Sequence, residues 1–212
     1  MATPIEQYAF LSDSRSGALV SARGSIDWLC LPRYDSASVF AALLGDASDG
    51  CWGLRPLDPR ATATRRYDGE TFVLVTRWET ERGVAEVHEF MPVGRKHRAL
   101  VRRTVGITGA VEFVSEMRLR FDYARALPWV RQVGTDDDPV LQAVAGPDAV
   151  HVRGPRMYAE DTSHRATWAV RPGDIIDSVL WWAPSHVETP AALDVDRALS
   201  RTRRWWSTWS EK

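Results

Sequence analysis

The residues best suited to chemistry in this chain lie between Gly24 and Ser36, in Gly-Ser-Ile-Asp-Trp-Leu-Cys-Leu-Pro-Arg-Tyr-Asp-Ser. Asp27 and Asp35 supply two carboxylates, Arg33 a planar fork of donors, and Trp28 a flat apolar platform. Two carboxylates flanking one corner are the minimum for paired general acid and base work. An arginine beside them suits planar bidentate contacts, and an indole can stack on the C–H face of a sugar ring. The competing reading needs no ligand: Asp27 and Asp35 cap turns or pair with Arg33. The sequence favours this second reading.

The elements that must hold these residues can be read around them. Ser25 to Leu31 reads as a strand, with Ile26, Trp28 and Cys30 on one side and Asp27 and Leu29 on the other. Pro32 ends it, because proline cannot donate to a ladder. Asp35 or Ser36 is fit to cap a helix. Val39, Phe40, Leu43 and Leu44 follow at helical spacing, and Gly45 suits a left-handed C-terminal cap.

Short strands dominate the rest. Ile5 to Phe10 reads as a lead-in strand, followed by a turn cluster at Ser12–Gly17. Hairpins are predicted around Ala22-Arg23-Gly24, Gly146-Pro147-Asp148 and Arg171-Pro172-Gly173-Asp174. Val111, Phe113, Met117, Leu119 and Phe121 alternate with Glu112, Glu116, Arg118 and Arg120, the mark of a strand with one wet face. Many short strands between close turns predict an all-β antiparallel sandwich over residues 1–188. A single long helix is predicted over residues 189–212, opened by Thr189 as cap and Pro190 as first helical residue. Val195, Leu199, Thr202, Trp206 and Trp209 draw one stripe along it. Trp205, Trp206 and Trp209 crowd its end, either packing back on the domain's own sheet or docking on a partner.

Composition excludes several classes of function. The chain has 212 residues, 44% of them hydrophobic, and a formal net charge of −1. That balance argues against nucleic acid as a partner. Lys96 and Lys212 are the lysines, so the positive charge is almost all arginine. Cys30 and Cys51 make no disulfide framework and read as buried free thiols. Residues 1–7 lack a targeting pattern and no apolar run spans a membrane, so a cytoplasmic protein without membrane contact is expected. The five histidines show no ligand spacing, so no metal is expected, and the absence of a phosphate loop leaves no cofactor expected. Asp136-Asp137-Asp138 and the basic run Arg95–Arg98 read as solvated loops. Among the ten tryptophans, Trp78, Trp168 and Trp182 read as core, whereas Trp28, Trp52 and Trp129 lie nearer breaks and are expected to be more exposed.

Several multi-residue motifs recur in the order of one known family. They are Ser25–Ser36 followed by Phe40-Ala-Ala-Leu-Leu-Gly45, then Arg65-Arg66-Tyr67, Glu89-Phe90-Met91-Pro92, Arg120-Phe121-Asp122-Tyr123 and the Trp-rich close. On these the chain resembles the N-terminal domain of bacterial glucoamylase/trehalase-type glycoside hydrolases of family 15, from about Ile5 to Trp209. The resemblance implies a β-sandwich, of the super-sandwich type, placed before a catalytic (α/α)6 barrel. It also implies that residues 189–212 form the helical linker to a barrel absent from this chain. The barrel of that family carries two catalytic glutamates, and no position here matches its motif, so no catalytic residue is carried over.

The chain departs from the family at Arg23, where an acidic residue is usual, and at Ala124, where Gly is frequent. It also departs at Glu89, where Asp is common, and across Ser12–Gly17. The expectation is therefore a non-catalytic domain that orients a barrel, in cis or in trans, which acts on α-glucosidic bonds. Asp27, Trp28, Arg33 and Asp35 are the substrate-facing candidates, toward α-glucosides, and Trp205, Trp206 and Trp209 the barrel-docking ones. The alternative is a free-standing sugar-binding or protein-docking module.

Overall fold

Alternation and turn chemistry set sixteen strands and one α-helix in a computed structural model that describes residues 3–94 and 98–211. The basic loop expected at Arg95, Lys96 and His97 lies outside the described residues. In chain order the strands begin with β1 (Tyr8–Ser12), β2 (Gly17–Ser21), β3 (Ser25–Cys30), β4 (Ser38–Phe40) and β5 (Cys51–Pro56). Next come β6 (Thr62–Tyr67), β7 (Leu74–Thr80), β8 (Gly83–Phe90), β9 (Arg98–Gly109) and β10 (Val111–Arg118). The last are β11 (Trp129–Gly134), β12 (Pro139–Ala145), β13 (Asp148–Arg153), β14 (Tyr158–Glu160), β15 (Ser163–Val170) and β16 (Ile175–Pro184), followed by α1 (Val195–Ser210).

The strands form two antiparallel sheets. One runs β1-β2-β3-β5-β10-β15-β14, with β4 on β3; the other runs β11-β12-β13-β16-β9-β8-β7-β6. Their inner faces interdigitate as the expected sandwich. Leu11, Val20, Ile26, Phe40 and Trp52 of the first sheet meet Leu74, Leu100, Val150 and Leu180 of the second. A continuation of this layer joins Leu54 and Phe113 to Trp78 and Val87.

Gly24 lets the β2–β3 turn close tightly. Its φ is +75°, and a Cβ there would stand 2.4 Å from the Leu54 carbonyl oxygen. That contact leaves room for the Leu54 amide to donate to the Gly24 carbonyl at 2.9 Å.

Three expectations are corrected. Arg171–Asp174 does reverse the chain, but β15 and β16 lie in different sheets, so the segment is a crossover and not a hairpin. A turn sequence fixes a reversal; it does not choose which neighbour each strand pairs with. Val39-Phe40 is an edge strand paired to β3, not the start of a helix. Only a 3-10 turn follows at Ala42–Leu44, and Gly45 has φ −153°. Both side chains are buried in the core cluster, and β-branched and aromatic residues fit a pleated surface. Ile5–Gln7 is likewise a 3-10 turn, with the strand beginning at Tyr8.

The C-terminal helix starts later than expected. Asp194, not Thr189, is its cap, accepting from the Arg197 amide at 2.9 Å. Leu193 packs on the second sheet just before the cap, and residues 189–194 hold no regular structure. The helix lies on the outer face of the second sheet. Val195, Ala198 and Leu199 bury against Val73, Phe90, Val101, Val179 and Trp181. Arg103 fastens this layer, pairing with Asp177 of β16 at 2.7 Å and with Asp196 in the first turn of α1.

Among the described residues, Arg102 and Glu89 form a fully buried ion pair. Glu89 on β8 and Arg102 on β9 stand directly opposite in register. Arg102 Nε donates to Glu89 at 2.8 Å, while its two terminal nitrogens cross the sandwich to the Trp52 and Gly24 carbonyls at 2.6 Å each. The guanidinium also lies 5.1 Å from the centre of the Trp52 ring. Burial pushes the Glu89 carboxyl up and the Arg102 guanidinium down, and each partner's charge opposes the shift. Removing one member leaves an uncompensated buried charge, which typically costs about 3–5 kcal/mol. Arg102→Met should therefore lower the unfolding free energy in urea by about that amount, whereas Arg33→Met, which breaks an exposed pair, should change it by less than about 1 kcal/mol.

Candidate functional site

A β-bulge decides where the candidate residues point. Leu19 pairs with Trp28 and Val20 with Ile26, so β3 carries one extra residue at Asp27. Ile26 before it and Leu29 after it both enter the core, and Asp27 and Trp28 are both left outside it, half-buried. The expected two-sided alternation of Ile26, Trp28 and Cys30 is broken here, because a bulge turns two consecutive side chains out of the ladder pattern.

Asp27 occupies a small polar recess of 250 Å³ with Tyr8, Arg23, Ser25 and Cys51 in its walls. It accepts from the Tyr8 hydroxyl at 2.7 Å and from the Ser25 hydroxyl. Burial, reinforced by the Asp27 carboxylate, pushes the Tyr8 phenol up to about 12. Burial likewise raises the thiols of Cys51 and Cys30 to about 11, so both stay protonated near neutral pH. Cys30 is buried and Cys51 half-buried, and neither forms a disulfide.

Trp28 meets a different neighbour. Its ring lies 6.1 Å from that of Tyr123, which is presented by an unusual turn. Asp122, Tyr123 and Ala124 are three successive non-glycine residues in the left-handed region, with φ +50°, +55° and +65°. Each such residue costs roughly 1–2 kcal/mol. The turn is held by a two-way backbone pair between Phe121 and Ala126 at 2.9 and 3.0 Å. Ser38 adds two more ties, accepting from the Asp122 amide at its carbonyl and from the Tyr123 amide at its hydroxyl.

Arg33 and Asp35 pair with each other in a bidentate contact at 2.9 and 2.7 Å, both well exposed. Asp35 caps no helix. Among the described residues Asp27 and Asp35 share no partner, and neither Arg33 nor Asp35 lines the Asp27 recess. The corner thus brings Trp28 to Tyr123 and Asp27 to Tyr8, and leaves the Arg33–Asp35 pair apart.

The helix end divides its tryptophans. Trp206 is buried, its ring 4.5 Å from that of Phe72, which in turn meets Phe10 of β1 at 5.6 Å. Trp205 and Trp209 stay 38% and 60% exposed and line an open groove with Arg201, Arg204 and Thr208. Of the other tryptophans, Trp129 is 71% exposed as expected, but Trp52 is fully buried. Its indole N–H donates to the Ser115 hydroxyl at 2.9 Å, and that partner lies across the sheet on β10, where local sequence could not reveal it. Trp78 is buried; Trp168 and Trp182 are half-buried. Asp136 and Asp138 form ion pairs with Arg156 and Arg153.

A family model described as "Trehalase-like, N-terminal" matches residues 1–180. The chain belongs to the trehalase-like N-terminal domain family. A trehalase of Mycobacterium tuberculosis is 29% identical over 230 residues, covering 97% of this chain and 34% of the relative. A trehalase of Mycolicibacterium smegmatis matches to the same extent. "Trehalase 1" of Sulfolobus acidocaldarius is 37% identical over 94 residues, 44% of this chain. The chain thus spans about a third of the length of the first two relatives. In this trehalase-like domain no helix among the described residues is long and apolar enough to cross a membrane.

Two aromatic partners, Tyr8 and Tyr123, were missed in the sequence. Tyr123 does fall in the Arg120–Tyr123 motif, but only the fold shows that it meets Trp28. The Tyr8–Asp27 contact has a readable consequence. The folded phenol releases its proton at about 12, against an ordinary 10.0. Its contribution to stability is therefore complete below pH 10.0 and is lost as the pH rises through about 12. Titration of phenolate absorbance should show a late-ionising tyrosine that disappears in Tyr8→Phe. An unchanged titration in that variant would refute the contact.

Proposed function

We propose that this domain is the non-catalytic N-terminal part of a trehalose-hydrolysing enzyme, and that it seats a catalytic (α/α)6 barrel against the outer face of α1. The observation that carries this reading is the pair Trp205 and Trp209. They stand exposed on a helix whose opposite face is already buried on its own sheet. Large aromatic surface left beside arginines is typical of an interface core. The trehalases that match nearly the whole of this chain are about three times its length, which supplies a second region for such a surface to meet. Residues 189–212 then act as the link, with Trp206 anchoring the link to the sandwich and Trp205 and Trp209 facing the barrel.

The same reading gives Trp28, Asp27, Arg33 and Asp35 a place at the edge of the substrate entrance. Asp27 and Asp35 face different surroundings, so they do not make an acid and base pair in this domain. Glycoside hydrolysis needs two carboxyl groups held at a defined separation across the scissile bond. In the proposed enzyme the second region supplies them. Trehalose is preferred over glucoamylase-type substrates because the relatives named above are trehalases.

The test is a chimera in which this chain replaces the matching third of the M. smegmatis trehalase. The isolated chain should leave trehalose intact. The chimera should hydrolyse it, and the double change Trp205→Ala, Trp209→Ala should lower activity by about tenfold or more without shifting the thermal midpoint of the isolated chain. Hydrolysis by the isolated chain, or a double variant as active as the parent chimera, would contradict the reading.

A further inference from the structure

The strained turn at Asp122–Ala124 has a second side. Beyond Tyr123 it walls a pocket of 420 Å³ at one end of the sandwich, between the two sheets. Ser38 of β4 and Phe121, Asp122 and Leu127 of the β10–β11 connection line it on one side, and Asp148 of β13 and Trp182 of β16, both in the second sheet, complete the lining. The volume lies in the range of about 300–1,000 Å³ in which small-molecule sites fall. Backbone held in a sparsely populated conformation by several independent ties is a feature that clusters at binding sites. Here the ties are those from Ser38 and the Phe121–Ala126 pair.

The lining has a definite chemistry. Trp182 is half-buried and its orientation is fixed, because its indole N–H donates to an Asp148 carboxylate oxygen at 2.9 Å. That bond leaves Asp148 with further lone pairs for a ligand. The Asp122 carboxylate makes no hydrogen bond or ion pair among the described residues, although its backbone is pinned on both sides. Leu127 and Phe121 add apolar surface. No Lys, Arg or His lines the pocket among the described residues, so a phosphate or carboxylate ligand would find no counter-charge.

We propose that this pocket binds one neutral hexose ring of an α-glucoside, its C–H face on the apolar lining with Trp182 and its hydroxyls donating to Asp122 and Asp148. A sugar ring presents both an apolar face and several donors, and this lining offers an apolar wall with acceptor-only groups on two sides. The choice of trehalose as first probe rests on the function proposed above. The two can fail separately, since sugar binding is read on the isolated chain and docking on the chimera.

The experiment is calorimetric and fluorescence titration of the 212-residue chain with trehalose, maltose, glucose, glucose 6-phosphate and choline. At least one neutral sugar should bind saturably with Kd on the order of 1 mM and change tryptophan emission, and glucose 6-phosphate and choline should bind more weakly. Leu127, 73% exposed, can be changed without disturbing the core. Leu127→Arg should abolish binding by filling the pocket. Asp122→Asn should weaken it by about tenfold, because a charge-assisted acceptor becomes a neutral one. Far-UV dichroism of both variants should match the parent. No saturable sugar binding, binding that survives Leu127→Arg or Asp122→Asn unchanged, or choline or the phosphate binding as tightly as the neutral sugars would overturn the proposal.

Discussion

Arg102 sits fully buried between two sheets whose remaining contact there is largely apolar. Hydrophobic contact between sheets is non-directional, so it sets that they pack but only weakly sets their alignment. Arg102 adds direction. It is anchored to Glu89 in its own sheet and reaches two carbonyls of the other, on Trp52 and on Gly24. One of those carbonyls lies on β5 and the other in the β2–β3 turn, immediately before the strand that carries Asp27 and Trp28. Arg102 thus ties the start of the candidate corner to the second sheet.

The strand that carries Arg102 fastens more than this. Along β9, Arg98, Leu100 and Arg102 face the interior, while Ala99, Val101 and Arg103 face the helix. Arg98 crosses to Asp13 at 3.1 Å, and Asp13 in turn accepts from the amides of Arg15 and Ser16 in the β1–β2 turn. Arg103, on the opposite side, holds Asp177 and the first turn of α1. Period-two alternation therefore sends two arginines to the first sheet and one to the helix. Arginine suits this work because its fork keeps several donors in a fixed plane and its charge is not readily lost.

Much of the fold was legible because it rests on local signals. Alternation marked β10, and Gly and Asp turns marked the hairpins at Gly24 and Gly146. What was not legible depended on partners far away in sequence. The Asp27 bulge arises from its pairing with β2, so Trp28 could not be placed on the outer side by counting. Val39 and Phe40 satisfy helical spacing, yet pairing with β3 makes them an edge strand whose side chains pack in the core. Trp52 looked exposed beside a loop, but its indole finds Ser115 on a neighbouring strand. Of the helix stripe, Val195 to Trp206 pack on the sheet as the four-three spacing required. Trp209 leaves the stripe, since the sheet-side aromatic neighbours end at Phe72. For the pocket by Asp122, the motif was visible, but the facing wall is set by sheet-on-sheet packing and left no local mark.

The most direct measurement on the docking account is hydroxyl-radical footprinting of tryptophan, read residue by residue by mass spectrometry. It would compare the isolated chain with the chain joined to the remaining two thirds of the M. smegmatis trehalase. The account predicts that Trp205 and Trp209 react in the isolated chain and become protected in the joined protein, while buried Trp52 and Trp206 are protected in both. Equal reactivity of Trp205 and Trp209 in an active joined protein would mean that the outer face of α1 is not where a catalytic region sits.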